Sequence, residues 1–214
     1  MPASIRWMGQ AMNEDQSVRL PPLPREQWGD SVRAALEAGF PEVVPRFFSN
    51  GPDHKRLPNS LGTMLYHPAL AEGWLAFSKV LLREPVLGTR QREIVVLRLS
   101  WRARSNYEWI QHTRMAVKLG LTKEEVIALA RDDVDLTTWA PLEQAMIRAT
   151  DELLDEHRIA DGTWADLAEH LDEAQLVELV FTVGNYACLA WFFNSAGMEP
   201  DPDFEPLEGV PLPA

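Results

Sequence analysis

Residues 88–120 read GTRQREIVVLRLSWRARSNYEWIQHTRMAVKLG, and this stretch decides the fold. A helix is predicted to open at Gly88 and to extend to about residue 103. A second helix is predicted from about residue 105 to residue 119. It ends before Gly120, because glycine accepts the backbone conformation that closes many helices. The short connection between the two helices predicts a tight helical hairpin.

The rest of the chain shows the same helical periodicity. Apolar residues recur three or four positions apart, and the alternating pattern typical of β-strands is scarce. Further helices are therefore predicted to end at Gly39, to begin after Pro68, to begin at Thr122, to cover residues 142–153, and to run from Asp172 to Gly197. The sequence predicts an all-α helical bundle with one domain.

The two ends of the chain differ from its middle in composition. Prolines punctuate the first residues, and the last residues are both acidic and rich in proline. We predict an N-terminal arm over residues 1–24, a helical domain over residues 25–197 and an extended tail over residues 198–214. Such a tail is expected to lie on a neighbouring subunit.

The charge of the chain disfavours two classes of partner. The formal net charge is −12, and a negative field repels both nucleic-acid phosphates and anionic lipid surfaces. The one long apolar run, residues 177–193, is shorter than the roughly 20 residues that a bilayer requires, and Glu178 and Asn185 interrupt it. The run is better explained as a buried core helix, so we predict neither nucleic-acid nor membrane binding.

Cysteine content and the first residues indicate the compartment. Cys188 is the single cysteine, which excludes an internal disulfide and a Cys-x-x-Cys redox pair. Residues 1–20 are polar and lack the continuous apolar stretch of a signal peptide. Both features favour a reducing cytoplasm.

Three polar residues share one face of the second hairpin helix. Ser105, Glu108 and His112 have the spacing i, i+3 and i+7, and the hairpin could bring Glu93 of the first helix against them. A carboxylate orients a histidine, while burial raises the pKa of a carboxyl group, so either group could move a proton near neutral pH. Three aromatic side chains are predicted to wall this pocket: Trp101, Tyr107 and Trp109.

Spacing alone also allows less specific explanations. Glu108 and His112 could be an ordinary surface pair, worth about 0.2 to 0.5 kcal/mol. They could ligate a metal, but no Glu-x-x-His or His-Glu-x-x-His pattern occurs, so we predict no metal and no other cofactor. The arginines near the hairpin could pair with a substrate carboxylate or with surface carboxylates.

Several runs resemble the core motif of the carboxymuconolactone decarboxylase and AhpD-like superfamily: Arg92 to Arg98, Trp101 with Arg102, Tyr107 to His112, and Gly120 to Thr122. Outside this motif, Pro58 with Asn59, His67 to Leu70, and Leu176 to Leu179 with Tyr186 and Asn194 resemble the first and closing helices of that family. The resemblance covers roughly residues 25–197 and implies an AhpD-like bundle that forms a homo-oligomer, a trimer or a hexamer. It also makes His67 a candidate for reaching the pocket.

The chain departs from the peroxidase branch of that superfamily at two positions. That branch uses a Cys-x-x-Cys pair, and Ser105 and Glu108 occupy the matching positions here. Hydroperoxide reduction needs a thiolate, so an alkylhydroperoxidase-like activity is disfavoured. The decarboxylase branch lacks the thiols and carries Glu-x-x-x-His, as Glu108 and His112 do.

The resemblance implies an enzyme that needs no cofactor and acts on a small carboxylated, lactone or carbonyl compound. Decarboxylation is the leading reaction, with isomerisation or lactone hydrolysis as variants. His112 is expected to donate or accept the proton, Glu93 to be its relay partner, and Glu108 to orient the substrate or act as a second acid-base group. The candidate substrate-binding residues are Trp101, Ser105, Tyr107, Trp109 and His67. The alternative outside enzymes is a non-catalytic binding or scaffold protein.

Overall fold

Ten α-helices and no strand make up the part of the chain, residues 17–213, that the computed structural model describes. Two short 3₁₀ helices occur at Arg25–Gln27 and Leu136–Thr138. The α-helices, in chain order, are α1 Asp30–Gly39, α2 Val44–Phe48, α3 Asn59–Met64, α4 Pro68–Arg83, α5 Thr89–Arg102, α6 Asn106–Lys118, α7 Lys123–Leu129, α8 Pro141–Asp155, α9 Asp161–Ala168 and α10 Glu173–Ala196. The predicted all-α class is confirmed. Most of the predicted N-terminal arm, residues 1–16, lies outside the described residues.

Three helices were not predicted, namely α2, α3 and α9. They have only five, six and eight residues, respectively. Helical periodicity is recognised over a window of about 11 to 18 residues, so helices this short leave too few apolar positions to reveal it. They form because tertiary packing buries part of each one, as with Phe47 of α2 and Leu167 of α9.

Helix α5 is the centre of the bundle. It packs against α6, α8 and α10, and every residue from Arg92 to Ser100 is buried. A helix that is covered on all sides must pair its polar side chains internally, because unpaired buried charges are strongly destabilising. This burial explains why Glu93 and the arginines of α5 meet partners from other helices.

Helix α10 begins at a capping box formed by Asp172 and Gln175, and it ends at Gly197. Gly197 has φ 63°, and a Cβ atom there would lie 2.5 Å from the Ser17 carbonyl oxygen, so glycine is required. By length and composition α10 could cross a membrane, but 56% of its most apolar window is buried inside the chain. Its packing on α5 is that of a core helix.

The tail folds back onto its own chain, although the sequence led us to expect it on a neighbouring subunit. Trp109 Nε1 donates to the Pro211 carbonyl oxygen at 2.7 Å, and Arg114 Nε donates to the Glu205 carbonyl oxygen at 2.6 Å. Asp201 is 2% exposed. The physical reason is that polar groups on α6 find hydrogen-bond partners in the tail that the helix itself does not offer.

Candidate active site

The hairpin of α5 and α6 joins an acid to an imidazole. Glu93 Oε2 lies 2.8 Å from His112 Nδ1, although the two residues are 19 positions apart. The connection between the helices turns sharply at Arg104, which adopts the left-handed value φ 54°. The hairpin therefore places the two groups in contact, as their positions in the sequence predict. Their catalytic role remains a prediction.

His112 and Arg92 hold the Glu93 carboxylate in its ionised form. It is 0% exposed, and its Oε1 accepts from Arg92 Nε at 3.2 Å and from the Arg92 terminal nitrogen at 3.0 Å. Burial alone would raise the pKa of Glu93, but His112 and Arg92 outweigh that effect and lower the pKa below its ordinary value. Sequence reasoning did not assign Arg92 to the site. Its guanidinium is one of the two groups that lower the pKa of Glu93.

His112 faces a cavity of about 310 Å³, which is large enough for a small ring compound. Because Nδ1 is held by Glu93, the other ring nitrogen, Nε2, is the one available to a ligand. Nε2 has no protein hydrogen-bond partner within residues 17–213. The Tyr186 ring packs edge-on against the imidazole, with ring centroids 5.1 Å apart. The polar side chains lining the cavity are Ser60, Ser78, Tyr107, Glu108, Gln111, His112, Asn185, Tyr186 and Asp201.

Glu108 lines the same cavity and is 2% exposed. Neither of its carboxyl oxygens has a hydrogen-bond partner within the described chain. Burial raises the pKa of Glu108 well above its ordinary value, and the nearby Ser105 hydroxyl, which is not in hydrogen-bonding geometry, offsets only part of this rise. Burial therefore favours the protonated, neutral form of Glu108, which faces the cavity and has hydrogen bonds still to make.

Replacing Glu108 with glutamine should stabilise the protein at neutral pH. A carboxyl group whose pKa is raised by folding contributes its full stability to the fold below its unfolded-state pKa, near 4.5. That contribution is lost as the pH rises towards the folded-state pKa. Near pH 4 the wild type and the variant should have equal free energies of unfolding. At pH 8 the variant should be more stable by about 1–3 kcal/mol, because the buried acid of the wild type resists ionisation there.

Urea denaturation at both pH values would measure this difference. The exposed Glu84→Gln is the matched control, and it should behave as the wild type at both pH values. If Glu108→Gln and the wild type have the same free energy of unfolding at both pH values, the assignment of Glu108 as a buried acid without a partner is wrong.

Four of the predicted substrate-binding residues lie outside the lining of this cavity. Trp101 and Trp109 pack together at 5.4 Å in a separate apolar cluster, because Trp109 points away from the face of α6 that carries Glu108. Ser105 is fully buried next to the first turn of α6. His67 is exposed and caps α4, accepting a hydrogen bond from the Leu70 amide.

Tyr107 lines the cavity, but its hydroxyl is already engaged. It donates to Asp201 Oδ2 at 2.7 Å and lies 3.1 Å from Ser60 Oγ. The same Asp201 oxygen accepts from Gln111 Nε2 at 2.7 Å, and the other pairs with Arg56 at 2.6 Å. Sequence reasoning missed Asp201 as a pocket residue, because nothing local in the tail indicates contact with α6.

The arginines near the hairpin pair with carboxylates of α8. Arg98 Nε lies 2.7 Å from Asp151, and Arg102 contacts both Asp151 and Asp155. None of them lines the cavity. Among residues 17–213, no three His, Cys, Asp or Glu side chains cluster as metal ligands would.

Residues 68–152 match the family described as "Carboxymuconolactone decarboxylase family". This segment runs from α4 to α8 and contains both Glu93 and His112. No curated protein matches the chain in sequence.

Solved structures share the fold. An alkylhydroperoxidase AhpD core protein from Ralstonia eutropha JMP134, described as peroxidase-related, is 16% identical, with 87% of this chain and 94% of that chain covered and a TM-score of 0.68. A peroxidase-related protein from Silicibacter sp. TM1040 is 13% identical, with coverage of 69% and 78% and a TM-score of 0.62. The debrominase Bmp8 is 14% identical, with coverage of 87% and 94% and a TM-score of 0.62. At these identities the likeness shows the fold alone.

Proposed function

Residues 68–152 place this chain in the carboxymuconolactone decarboxylase and AhpD-like superfamily, and on that premise we propose that it is a cofactor-independent acid-base enzyme. Its substrate is a small carboxylated, lactone or carbonyl compound, and decarboxylation is the leading reaction. The observation that carries the proposal is the 2.8 Å contact between Glu93 and His112 at the wall of a cavity. A buried carboxylate paired with an imidazole is an arrangement suited to proton transfer.

The reaction needs one proton and no external electrons. The bond between the substrate carbon and its carboxylate breaks, carbon dioxide leaves, and the electron pair moves into the neighbouring carbonyl to give an enolate. His112 Nε2 then donates a proton to that carbon, while Glu93 stabilises the imidazolium from the Nδ1 side. The next proton from solvent restores His112.

The cavity favours loss of a carboxylate over its retention. Among the described residues, its lining has no lysine or arginine, and apolar side chains such as Leu81, Leu189 and Phe193 cover much of it. A negative charge is poorly solvated in such surroundings, whereas carbon dioxide and the product that His112 has protonated are both neutral. Isomerisation and lactone hydrolysis use the same acid-base groups and stay as variants. In each, Glu108 orients the substrate or acts as a second acid-base group.

A panel of small unsaturated lactone acids, and of their esters and neutral lactones, would test the proposal. We expect release of carbon dioxide from at least one acid. In heavy water we also expect one deuterium at the carbon that loses the carboxylate, because His112 then carries a solvent deuteron. Absence of both carbon dioxide release and deuterium incorporation across the panel would refute acid-base catalysis on this substrate class.

The same preparation should not reduce hydroperoxides. Cys188 is the single cysteine of the chain, it is exposed, and it does not line the cavity. Cumene hydroperoxide with dithiothreitol as reductant should be consumed no faster than in a protein-free blank. Faster consumption would revive the alkylhydroperoxidase-like alternative. Inactivity in both assays would favour the binding or scaffold alternative.

Self-association and cytoplasmic location also stay proposals. Several large apolar side chains of α4 and α10 are exposed in the single chain: Leu70, Val80, Val177, Phe181 and Trp191. Exposed apolar side chains grouped on neighbouring helices are a common feature of subunit interfaces. They support the expected homo-oligomer, a trimer or hexamer.

A further inference from the structure

Glu108 and Tyr186 both border the cavity next to His112, yet neither has a protein partner for its polar end. Tyr186 is 6% exposed, and its hydroxyl makes no hydrogen bond to the described residues. Glu108 is 2% exposed, and both of its oxygens are unpartnered. Buried polar groups in proteins are nearly always satisfied, so the two unpartnered Glu108 oxygens indicate a ligand that completes them, and the Tyr186 hydroxyl is available to the same ligand.

Burial shifts both groups towards their protonated forms. Burial raises the pKa of the Tyr186 phenol, and the nearby Glu93 carboxylate raises it further. Burial likewise raises the pKa of the Glu108 carboxyl group. Each group therefore offers an O–H donor to the cavity.

Most of the other polar side chains of the cavity have protein partners, whereas the buried Ser78 hydroxyl has none among the described residues. The Tyr107 hydroxyl donates to Asp201, and Asn185 Oδ1 accepts from Trp74 Nε1 at 2.9 Å. The lining has no lysine or arginine among the described residues. Negative charge that develops on a bound compound must therefore be stabilised by neutral donors and by His112, and Glu108 and Tyr186 are the donors that lie next to His112.

We infer that Glu108 and Tyr186 form a pair of neutral donors that binds the oxyanion of an enolate or phenolate. This inference rests on the proposed function, since it assigns the oxygen subsite of the same cavity. His112 acts on carbon from its position against Tyr186, and the two donors hold the oxygen that becomes negative. A tyrosine and a protonated carboxylic acid stabilise an oxyanion together in this way in ketosteroid isomerase.

The ligand class follows from the donors and the cavity. A volume of about 310 Å³ and walls that include Trp74, Leu81 and Phe193 suit one small ring. Two O–H donors suit one oxygen on that ring. Cyclic enols, phenols and lactones are therefore the expected ligands, and they should bind through the anionic or carbonyl oxygen.

Binding of 4-nitrophenol would test this inference without any turnover. Its phenolate absorbs at a longer wavelength than the neutral phenol, so absorbance reports the ionisation state of the bound probe. We expect the wild type to bind it as the phenolate. Tyr186→Phe and Glu108→Leu should each weaken that binding by about 10- to 100-fold, the usual effect of losing one hydrogen bond to a charged group.

Two controls separate loss of a donor from damage to the cavity. The ether 4-nitroanisole has the same ring but cannot form an oxyanion, so its affinity should be the same in all these variants. Tyr66→Phe removes a phenol hydroxyl from an exposed tyrosine outside the cavity, and it should bind both probes as the wild type does.

The inference is overturned if the wild type binds 4-nitrophenol in its neutral form, or if the two variants keep wild-type affinity for the phenolate. If both variants lose affinity for 4-nitrophenol and for 4-nitroanisole to the same extent, the inference is also overturned, since that result assigns the two residues a packing role. If the wild type binds the phenolate and both variants lose affinity for it, the inference is supported even when no compound of the lactone panel is turned over. The proposed function and the oxygen subsite can thus fail separately.

Discussion

Replacing His112 with alanine should lower turnover of the lactone acid identified in the panel by about 100- to 10,000-fold, the contribution that a positioned acid-base group commonly makes. The imidazole is the group that the structure holds between Glu93 and the cavity, so its removal takes away the proton donor of the proposed step. Initial rates with purified variants would measure the loss. The Michaelis constant should change little, because His112 acts mainly after the substrate has bound.

Glu93→Gln tests the relay separately. The amide keeps the shape of the side chain but not its charge, so the imidazolium loses its stabilising partner and turnover should fall. The pKa of Glu93 is lowered, since His112 and Arg92 outweigh the effect of burial. Wild-type activity that depends on ionised Glu93 should therefore persist below pH 4.5, the ordinary value of a glutamic acid.

His170→Ala is the control for removal of an imidazole, because His170 is exposed and distant from the cavity lining. It should keep full activity. A folded His112→Ala variant with wild-type turnover would disprove the assignment of His112, and circular dichroism would establish that the variant is folded.

Replacing Arg98 with alanine should destabilise the fold by about 3–5 kcal/mol, the usual loss when one partner of a buried ion pair is removed. Arg98 is 1% exposed and donates to both oxygens of Asp151, at 2.7 and 2.8 Å. It also donates to the carbonyl oxygens of Leu129, Arg131 and Asp132, which follow α7 or end it. Its removal leaves these acceptors unpaired and opens a space in the core.

Urea denaturation would measure the loss as a lower transition midpoint with an unchanged slope. Arg131→Ala is the matched control. The Arg131 side chain is 60% exposed and makes one long ion pair, 3.5 Å to Asp133, so we expect a change below about 1 kcal/mol. Similar midpoints for the two variants would show that Arg98 is not the structural link between α5 and α8.

Most of the helical framework could be predicted from the sequence. The helices that begin after Pro68, at Thr122 and at Asp172 lie where their caps predict them, because capping and turn residues act within a few positions of the helix end. The short helices α2, α3 and α9 were missed, since tertiary contacts stabilise them more than their own sequence does.

The candidate site could be predicted only in part. Glu108 and His112 are one helical turn apart, and the hairpin that carries Glu93 towards them is short, so local geometry was enough to group these three. The predicted positions of the aromatic residues at the cavity were less accurate. Residues two positions apart on a helix point about 200° apart, so Tyr107 borders the cavity while Trp109 packs in another cluster.

The sequence by itself determined the helices, their ends and the row of polar residues along α6, because each of these depends on neighbours within one or two turns. Only the tertiary structure decided which face of α6 borders a cavity, that Asp201 returns from the tail to contact it, and that Glu108 and Tyr186 lack partners. Burial and unsatisfied hydrogen bonds are set by residues far apart in the chain. Their arrangement is settled when the helices pack.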